Sequence, residues 1–395
     1  MIDKSMPGST LTFIGDATVR SLVLASTKLI LEQQTPGGAY PASPSFSAYA
    51  GYCWFRDGSF IADAMSAAGH VESAELFFDW CSNVLSSRSG KIRYIVAESL
   101  AGRPPADGQM LPARFTLEGD DGNDEWWDFQ LDGYGTWLWA LAEHSTRYGR
   151  SLERWDEAVA LTVDYLVCSW DRPCYDWWEE AAHQVHVSTL GCISSGLASI
   201  VAAGHLDEER ALRATETVEL IRRRVQNDGV RNRHLTKWLG TEALDGSLLA
   251  LIAPMNFLEP VSPVGKGTIS AVEEQLTVRN GVHRYLADSY YGGGQWPLLS
   301  CFLGLAQEAA GNRSRARELL LWVASVARDN TELPEQVEGN LLDAEQLQPW
   351  IDRWGPSASP LLWSHAMFIR LAIALDTIHP MDRSESGPQT NEKGL

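Results

Sequence analysis

Four stretches of the chain put tryptophan or tyrosine directly beside charged side chains, a combination that ordinary turns do not need. The first is Tyr49-Ala50-Gly51-Tyr52-Cys53-Trp54-Phe55-Arg56-Asp57. Adjacent Arg and Asp after an aromatic cluster suit a sugar. Aromatic faces cover the ring C–H groups while the charged pair hydrogen-bonds the hydroxyls. A helix cap at Asp57 with core aromatics is the plainer alternative. The second stretch runs from Asp120 to Gly133 and includes Trp126, Trp127, Gln130 and Asp132. Its D-D-x-x-D spelling at Asp120–Asp124 matches the Mg²⁺ motif of helical terpene synthases. Gly122 and Asn123 make it a turn rather than a helix, however, and the place for a second metal motif, near Asn227-Asp228, carries Arg231. A solvated acidic turn fits better.

The third stretch is Tyr175-Asp176-Trp177-Trp178-Glu179-Glu180. An apolar wall raises a carboxyl pKa and a neighbouring carboxylate raises it further. A carboxylic acid still protonated near neutrality is what a general acid requires. An acid-rich helix N-terminus would show the same residues, because the macrodipole favours them. The fourth stretch, Thr331-Glu332-Leu333-Pro334-Glu335-Gln336, begins where a helix ends and so puts Glu335 on a loop. Two carboxylates from separate loops are the minimum for hydrolysing a glycosidic bond: one protonates the leaving oxygen, the other activates water or attacks the sugar.

Other chemistries fit less well. His183 and His186 are three apart and could share a helix face, but no H-E-x-x-H or third ligand accompanies them. Gly292-Gly293-Gly294 lacks the GK[ST] ending of a phosphate-cradling loop, and no G-x-S-x-G elbow appears. These chemistries are therefore poorly supported.

The elements that must position these loops read mostly as helices. Apolar residues at helical spacing predict a helix from Asp16 that stops at Pro36-Gly37-Gly38. They predict further helices over 58–68, 73–86, 133–148, 152–168, 189–203, 208–227, 245–252, 268–276, 297–310, 313–327 and 361–378. The only strand-like stretch is Lys91–Val96. Twelve helices, mostly adjacent in pairs and without a linker between them, suggest an all-α single domain. Six helical hairpins closed into an (α/α)6 barrel would use that number, and so would a two-layer helical fold. In a barrel the connecting loops gather at one end and build a pocket.

Composition sets the outer bounds. The chain has 395 residues, 45% hydrophobic and 21% charged, which describes a globular protein. Its formal net charge is −19, with 32 Lys and Arg against 51 Asp and Glu. That argues against nucleic acid or an anionic membrane surface as partner. The start lacks a signal-peptide pattern, and no apolar run approaches the ~20 residues that span a bilayer. The six cysteines form no C-x-x-C pair and read as buried free thiols, so a cytoplasmic location is expected. Oligomeric state is not legible.

Taken in order, several motifs now resemble one family. They are Tyr52-x-Trp54-x-Arg56-Asp57, Gln130-x-Asp132-Gly133-Tyr134-Gly135, Trp178-Glu179-Glu180, Arg284-Tyr285-x-x-Asp288-x-Tyr290-Tyr291-Gly292-Gly293, Leu333-Pro334-Glu335-Gln336 and Pro360-Leu361-Leu362-Trp363-Ser364-His365-Ala366. The set resembles glycoside hydrolase family 15, the glucoamylase family. The resemblance implies an (α/α)6 barrel and an inverting hydrolase that releases β-glucose from the non-reducing ends of α-glucosides, with no metal or cofactor. It implies Glu179 as general acid and Glu335 as general base. Arg56 and Asp57 look like a clamp on the terminal glucose, Arg284 like a further contact, and Trp126 and Trp178 like pocket walls. Trp54 and Glu180 join the substrate-binding candidates. Tyr49 and Tyr290 look like companions of the base, with Tyr52 competing for the place of Tyr49. The expected layout is an N-terminal segment 1–16, a barrel 17–378 and a flexible polar tail 379–395. A chain of that layout would be a bare catalytic domain. It would suit small neutral oligosaccharides such as isomaltose and short isomalto-oligosaccharides, as the compact isomaltose glucohydrolases of the family do. Maltose- and trehalose-type substrates stay open, as does a non-catalytic sugar-binding relative, although both glutamates are retained.

Overall fold

The computed structural model describes residues 15–122 and 129–378. These form helices α1 (Asp16–Gln33), α2 (Phe55–Ala67), α3 (Val71–Ser87), α4 (Ser89–Leu100), α5 (Asp132–Tyr148), α6 (Asp156–Ser169) and α7 (Val187–Ala203). After them come α8 (Glu208–Asp228), α9 (Pro263–Gln275), α10 (Pro297–Ala309), α11 (Arg313–Ser325), α12 (Leu347–Trp354) and α13 (Leu362–Ala374). Residues 1–14 of the expected N-terminal segment 1–16 lie outside the described residues, as do the expected tail 379–395 and Trp126.

The helices sort into two layers by what their circumference can bury. In α7 the sequence VSTLGCISSGLASIVAA carries no charge and is buried almost all round. In α2 every residue but the last is buried. A helix apolar on all sides belongs inside. By contrast α8 buries only Ala214, Thr217, Val218, Ile221 and Val225, a single stripe, and turns its arginines and glutamates outward. The inner ring runs α2, α5, α7, a 3₁₀ segment at Gly246–Leu251, α10 and α13, which returns to α2. Outside it, α3, α6, α8, α9, α11 and α1 pack on those six in the same order. This is an (α/α)6 barrel, with α4 added between α3 and α6.

Close packing in the ring is tightest between α5 and α7. A Cβ on Gly196 would meet the Gly135 carbonyl oxygen at 2.1 Å, and one on Gly135 would meet the Cys192 carbonyl at 2.5 Å. Backbone lies against backbone there. The barrel axis is closed by aromatic rings. Phe60 of α2 contacts Trp139 of α5, Phe302 of α10 and Trp363 of α13 at centroid distances of 5.5, 5.3 and 5.3 Å, and Trp177 at 5.8 Å. All five are essentially buried.

Three local readings of the sequence need correction. Lys91–Val96 is part of helix α4, not a strand. Its alternation is broken by Tyr94, which is exposed, while Ile92 and Ile95 share the buried face at helical spacing. The 245–252 segment is a 3₁₀ helix that Asp245 starts by accepting from the Ser247 N–H at 2.9 Å; Pro254 stops it from lengthening. Helix α12 was not foreseen, because Pro349 reads as a breaker. It sits in the first turn, where a missing N–H costs nothing. The true strands are short. Strand β1 (Tyr52–Trp54) pairs antiparallel with β2 (Arg114–Thr116), and it delivers the chain into α2. Among the described residues no helix is long and apolar enough to cross a membrane. All six cysteines are free, and Cys168 alone is less than fully buried.

The α5–α7 contact yields a direct test. Gly196→Ala should lower stability by about 1–3 kcal/mol through overpacking, seen as a fall in Tm or in the denaturant midpoint. Unchanged stability would mean that the two helices can move apart.

Candidate active site

A cavity of about 320 Å³ opens at the N-terminal ends of the inner helices. Its wall includes Trp54, Arg56 and Asp57 at the start of α2, Trp296 at the start of α10, and Leu361 and Trp363 at the start of α13. The loop before α7 adds Trp177, Trp178, Glu179 and Glu180, and separate loops add Tyr49, Arg284, Tyr290 and Glu335. Every described residue expected at the site therefore lines one cavity. The tryptophans converge there as well: seven of the sixteen, Trp54, Trp177, Trp178, Trp296, Trp350, Trp354 and Trp363, are in its wall. Trp177 and Trp363 belong equally to the aromatic plug, so their rings form the floor rather than an open face.

Glu179 sits in a turn built by Asp176. The Asp176 carboxylate accepts the N–H groups of Trp178 and Glu180, both at 2.9 Å, and its carbonyl accepts from the Glu179 N–H at 3.0 Å. Glu179 is thereby held at φ 61°, a left-handed conformation that costs a residue with a Cβ about 1–3 kcal/mol. Its Oε1 accepts from the Trp54 indole at 2.6 Å. Glu179 keeps some accessible surface, as a group facing a cavity must. The protein around it is nevertheless dense enough that burial pushes its pKa up, against the pull of the Arg56 charge and the Trp54 hydrogen bond.

Glu335 comes from the loop after α11 and is buried. Its N–H donates to the Ala358 carbonyl at 2.8 Å, which fixes the loop. The Tyr49 hydroxyl donates to Oε1 at 3.1 Å and the Ser357 hydroxyl to Oε2 at 3.3 Å. Burial raises this carboxyl to about 7, in spite of those two donors and the distant Arg284 charge. The Tyr49 hydroxyl also lies 3.0 Å from that of Tyr290. Of the two competing tyrosines, Tyr49 is thus the one beside Glu335. Tyr52 lies under the Arg114 guanidinium, 3.8 Å from its ring centroid, and is not in the cavity wall.

Arg56 and Asp57 occupy the first turn of α2 rather than a loop, and neither side chain caps it. Arg56 donates to Gln130 at 2.7 Å and to Asp132 at 3.1 Å, and it pairs with Asp57 at 3.2 Å. Burial lifts the Asp57 pKa to about 6, against the Arg56 charge. Arg56 Nε and the Trp296 indole N–H are buried without a hydrogen-bond partner among the described residues. Arg284 is held by both oxygens of Asp288, at 2.7 and 2.5 Å, and reaches Glu180 at 3.3 Å. Its guanidinium is flanked by the rings of Trp178, Tyr285, Tyr290 and Trp296, at 5.1–5.5 Å. Glu180 is held from its other side by the Tyr285 hydroxyl.

Some participants had no sequence signal that was used. Ser357 lies on an unmarked loop. Trp350, Arg353 and Trp354 come from α12 and form the outer wall; the two tryptophans four apart were their visible sign. Gln130 and Asp132 stood in a motif without a role, and they turn out to hold Arg56. The metal readings do not assemble. Asp121 is paired with Arg88 at 2.7 Å and Asp124 lies outside the described residues. His183 is exposed whereas His186 is buried, and both precede α7, so they share no helix face. Among the described residues no group of three His, Cys, Asp or Glu is placed to hold a metal ion.

Comparison with known proteins follows the same lines. An isomaltose glucohydrolase of Kribbella flavida is 46% identical over 92% of this chain and 95% of its own length. A solved glycosidase is 45% identical, covering 92% of this chain and 98% of that one, with a TM-score of 0.90, and a glycosidase variant in complex with glucose matches with the same figures. The glucoamylase of Saccharomycopsis fibuligera, 13% identical over 94% of this chain and 98% of its own, shares the fold with a TM-score of 0.71. The model of the glycosyl hydrolases family 15 matches residues 18–373, and the chain belongs to that family of glycoside hydrolases.

Proposed function

We propose that this enzyme removes single glucose units, with inversion to β-glucose, from the non-reducing ends of short α-glucosides, and that isomaltose and short isomalto-oligosaccharides are its substrates. The observation that carries the reaction is the pair Glu179 and Glu335: a half-buried and a buried carboxyl group from separate loops, each held by its own donors, lining one cavity. The cavity, about 320 Å³, is at the small end of ligand pockets, which span roughly 300–1,000 Å³. That supports a short substrate. The α-1,6 linkage follows the similarity to the isomaltose glucohydrolase.

In this reading the terminal glucose rests on the tryptophan floor with its far hydroxyls on Arg56 and Asp57. Gln130 and Asp132 keep Arg56 in place, so the clamp is rigid before the sugar arrives. Trp178 and Trp296 cover the ring, and Arg284 stands behind them. Glu179 protonates the glycosidic oxygen. Glu335 takes a proton from a water that attacks the anomeric carbon from the opposite face, and the oxocarbenium-like charge develops between the two carboxyl groups. The hydroxyls of Tyr49 and Ser357 favour the ionised form of Glu335, which is the form a base needs. Tyr290 keeps the Tyr49 hydroxyl in place.

Proton NMR of the first product formed from isomaltose should show β-glucose, and initial α-glucose would overturn inversion. Glu335→Ala should lose about 10²–10⁴-fold in kcat; turnover near wild type would remove it as base. Because Glu335 acts when ionised and its pKa lies at about 7, kcat/KM should fall as pH drops below about 7. Tyr49→Phe removes a donor to the anion, so that limb should move to higher pH. An unmoved limb would detach Tyr49 from the base.

A further inference from the structure

Lys237 is a buried cation outside the cavity wall. Its side chain is 5% exposed, and its ammonium lies 2.6 Å from Asp245 and 3.0 Å from Asp176. It also stands 3.7 Å from the centroid of the Tyr285 ring. Burying an ammonium is costly unless it is paired. Here burial pulls its pKa down, and the two carboxylates outweigh that and keep it charged. Such a group is retained at that cost for what it joins.

It joins the turn that carries Glu179 to the inner ring. One Asp176 oxygen takes the Trp178 and Glu180 N–H groups that hold Glu179 left-handed, and the other faces Lys237. Asp245 starts the 3₁₀ segment of the ring through the Ser247 N–H, and it accepts the Trp178 indole N–H at 3.0 Å. Lys237 is itself fixed at the entry to α7, where its carbonyl accepts the Val187 N–H at 3.2 Å. On the far side of Glu179, the Tyr285 ring that faces the ammonium ends in the hydroxyl that holds Glu180. The ammonium thus reaches the residues on both sides of Glu179 without touching Glu179. Other titratable groups facing this cluster are Glu180, His186 and Arg284 with its partner Asp288.

We infer that Lys237 is a positioning residue for the general acid: by tying the Asp176 turn to Asp245 on the inner ring, it fixes where the Glu179 carboxyl meets the glycosidic oxygen. The inference rests on Glu179 being the acid. Its test is a comparison of two substrates in Lys237→Met. Isomaltose needs a proton on its leaving oxygen, whereas α-glucosyl fluoride releases fluoride with far less help. A displaced acid should lower kcat on isomaltose by about 10²-fold, leave KM nearly unchanged and spare the fluoride. Should Lys237→Met not fold, Asp176→Asn serves instead. It keeps an oxygen for the two N–H groups, removes a buried negative charge and cuts the same tie, so the same selective loss is expected. Equal loss on both substrates, or full activity on isomaltose, would overturn the inference. Glu179→Gln is the control. If it too loses both substrates equally, the reading of Glu179 as acid falls, and the inference with it. If it loses only isomaltose while Lys237→Met loses both, the tie alone falls.

Discussion

The contact between α5 and α7, backbone against backbone at Gly135 and Gly196, is the constraint on which the rest of the barrel depends. It permits six inner elements to close around a narrow axis that a few aromatic rings can fill. Charge inside the ring is matched where it occurs, as where Asp63 of α2 pairs with Arg147 and Arg370, and a further set of polar side chains collects where the helices begin. The cavity forms at that end because elsewhere along the axis the rings already touch. Its size is therefore a property of the inner ring as much as of the loops around it.

At the mouth of the ring the charges are arranged in compensated groups. Arg56 is matched by Asp57 and Asp132, Arg284 by Asp288 and Glu180, and Lys237 by Asp176 and Asp245. Glu179 and Glu335 differ: neutral donors hold them, an indole for one and two hydroxyls for the other. A direct ion pair would pin a carboxyl in its ionised form. Neutral donors orient it and leave burial to raise its pKa.

Much of this was legible in the sequence because the chemistry sits in short local clusters. Trp54 with Arg56 and Asp57, and Trp178 with Glu179, are neighbours in the chain and stay neighbours in the fold. Helix α7 was readable as an inner helix from its lack of charge. What was not legible was contact across the ring. Nothing near Arg56 announces Gln130 and Asp132, and nothing near Glu179 announces Lys237, because those partners meet only when the barrel closes. Lys91–Val96 misled because alternation over six residues cannot distinguish a strand from a helix with a narrow buried face. Helix α12 was hidden by a proline in a position where proline is harmless.

The aromatic plug has one more consequence. Phe60, Trp139, Trp177, Phe302 and Trp363 close the axis beneath the cavity, so the way in is also the way out. In the proposed reading the freed glucose is the part of the substrate that sits deepest, and the remainder of the chain stands between it and solvent. The remainder must depart before the glucose can, and the glucose before the next chain end can enter. An oligosaccharide cannot be threaded forward after a cut; it has to let go. Hydrolysis in such a barrel is a succession of separate encounters, and successive units of one chain are removed in different visits.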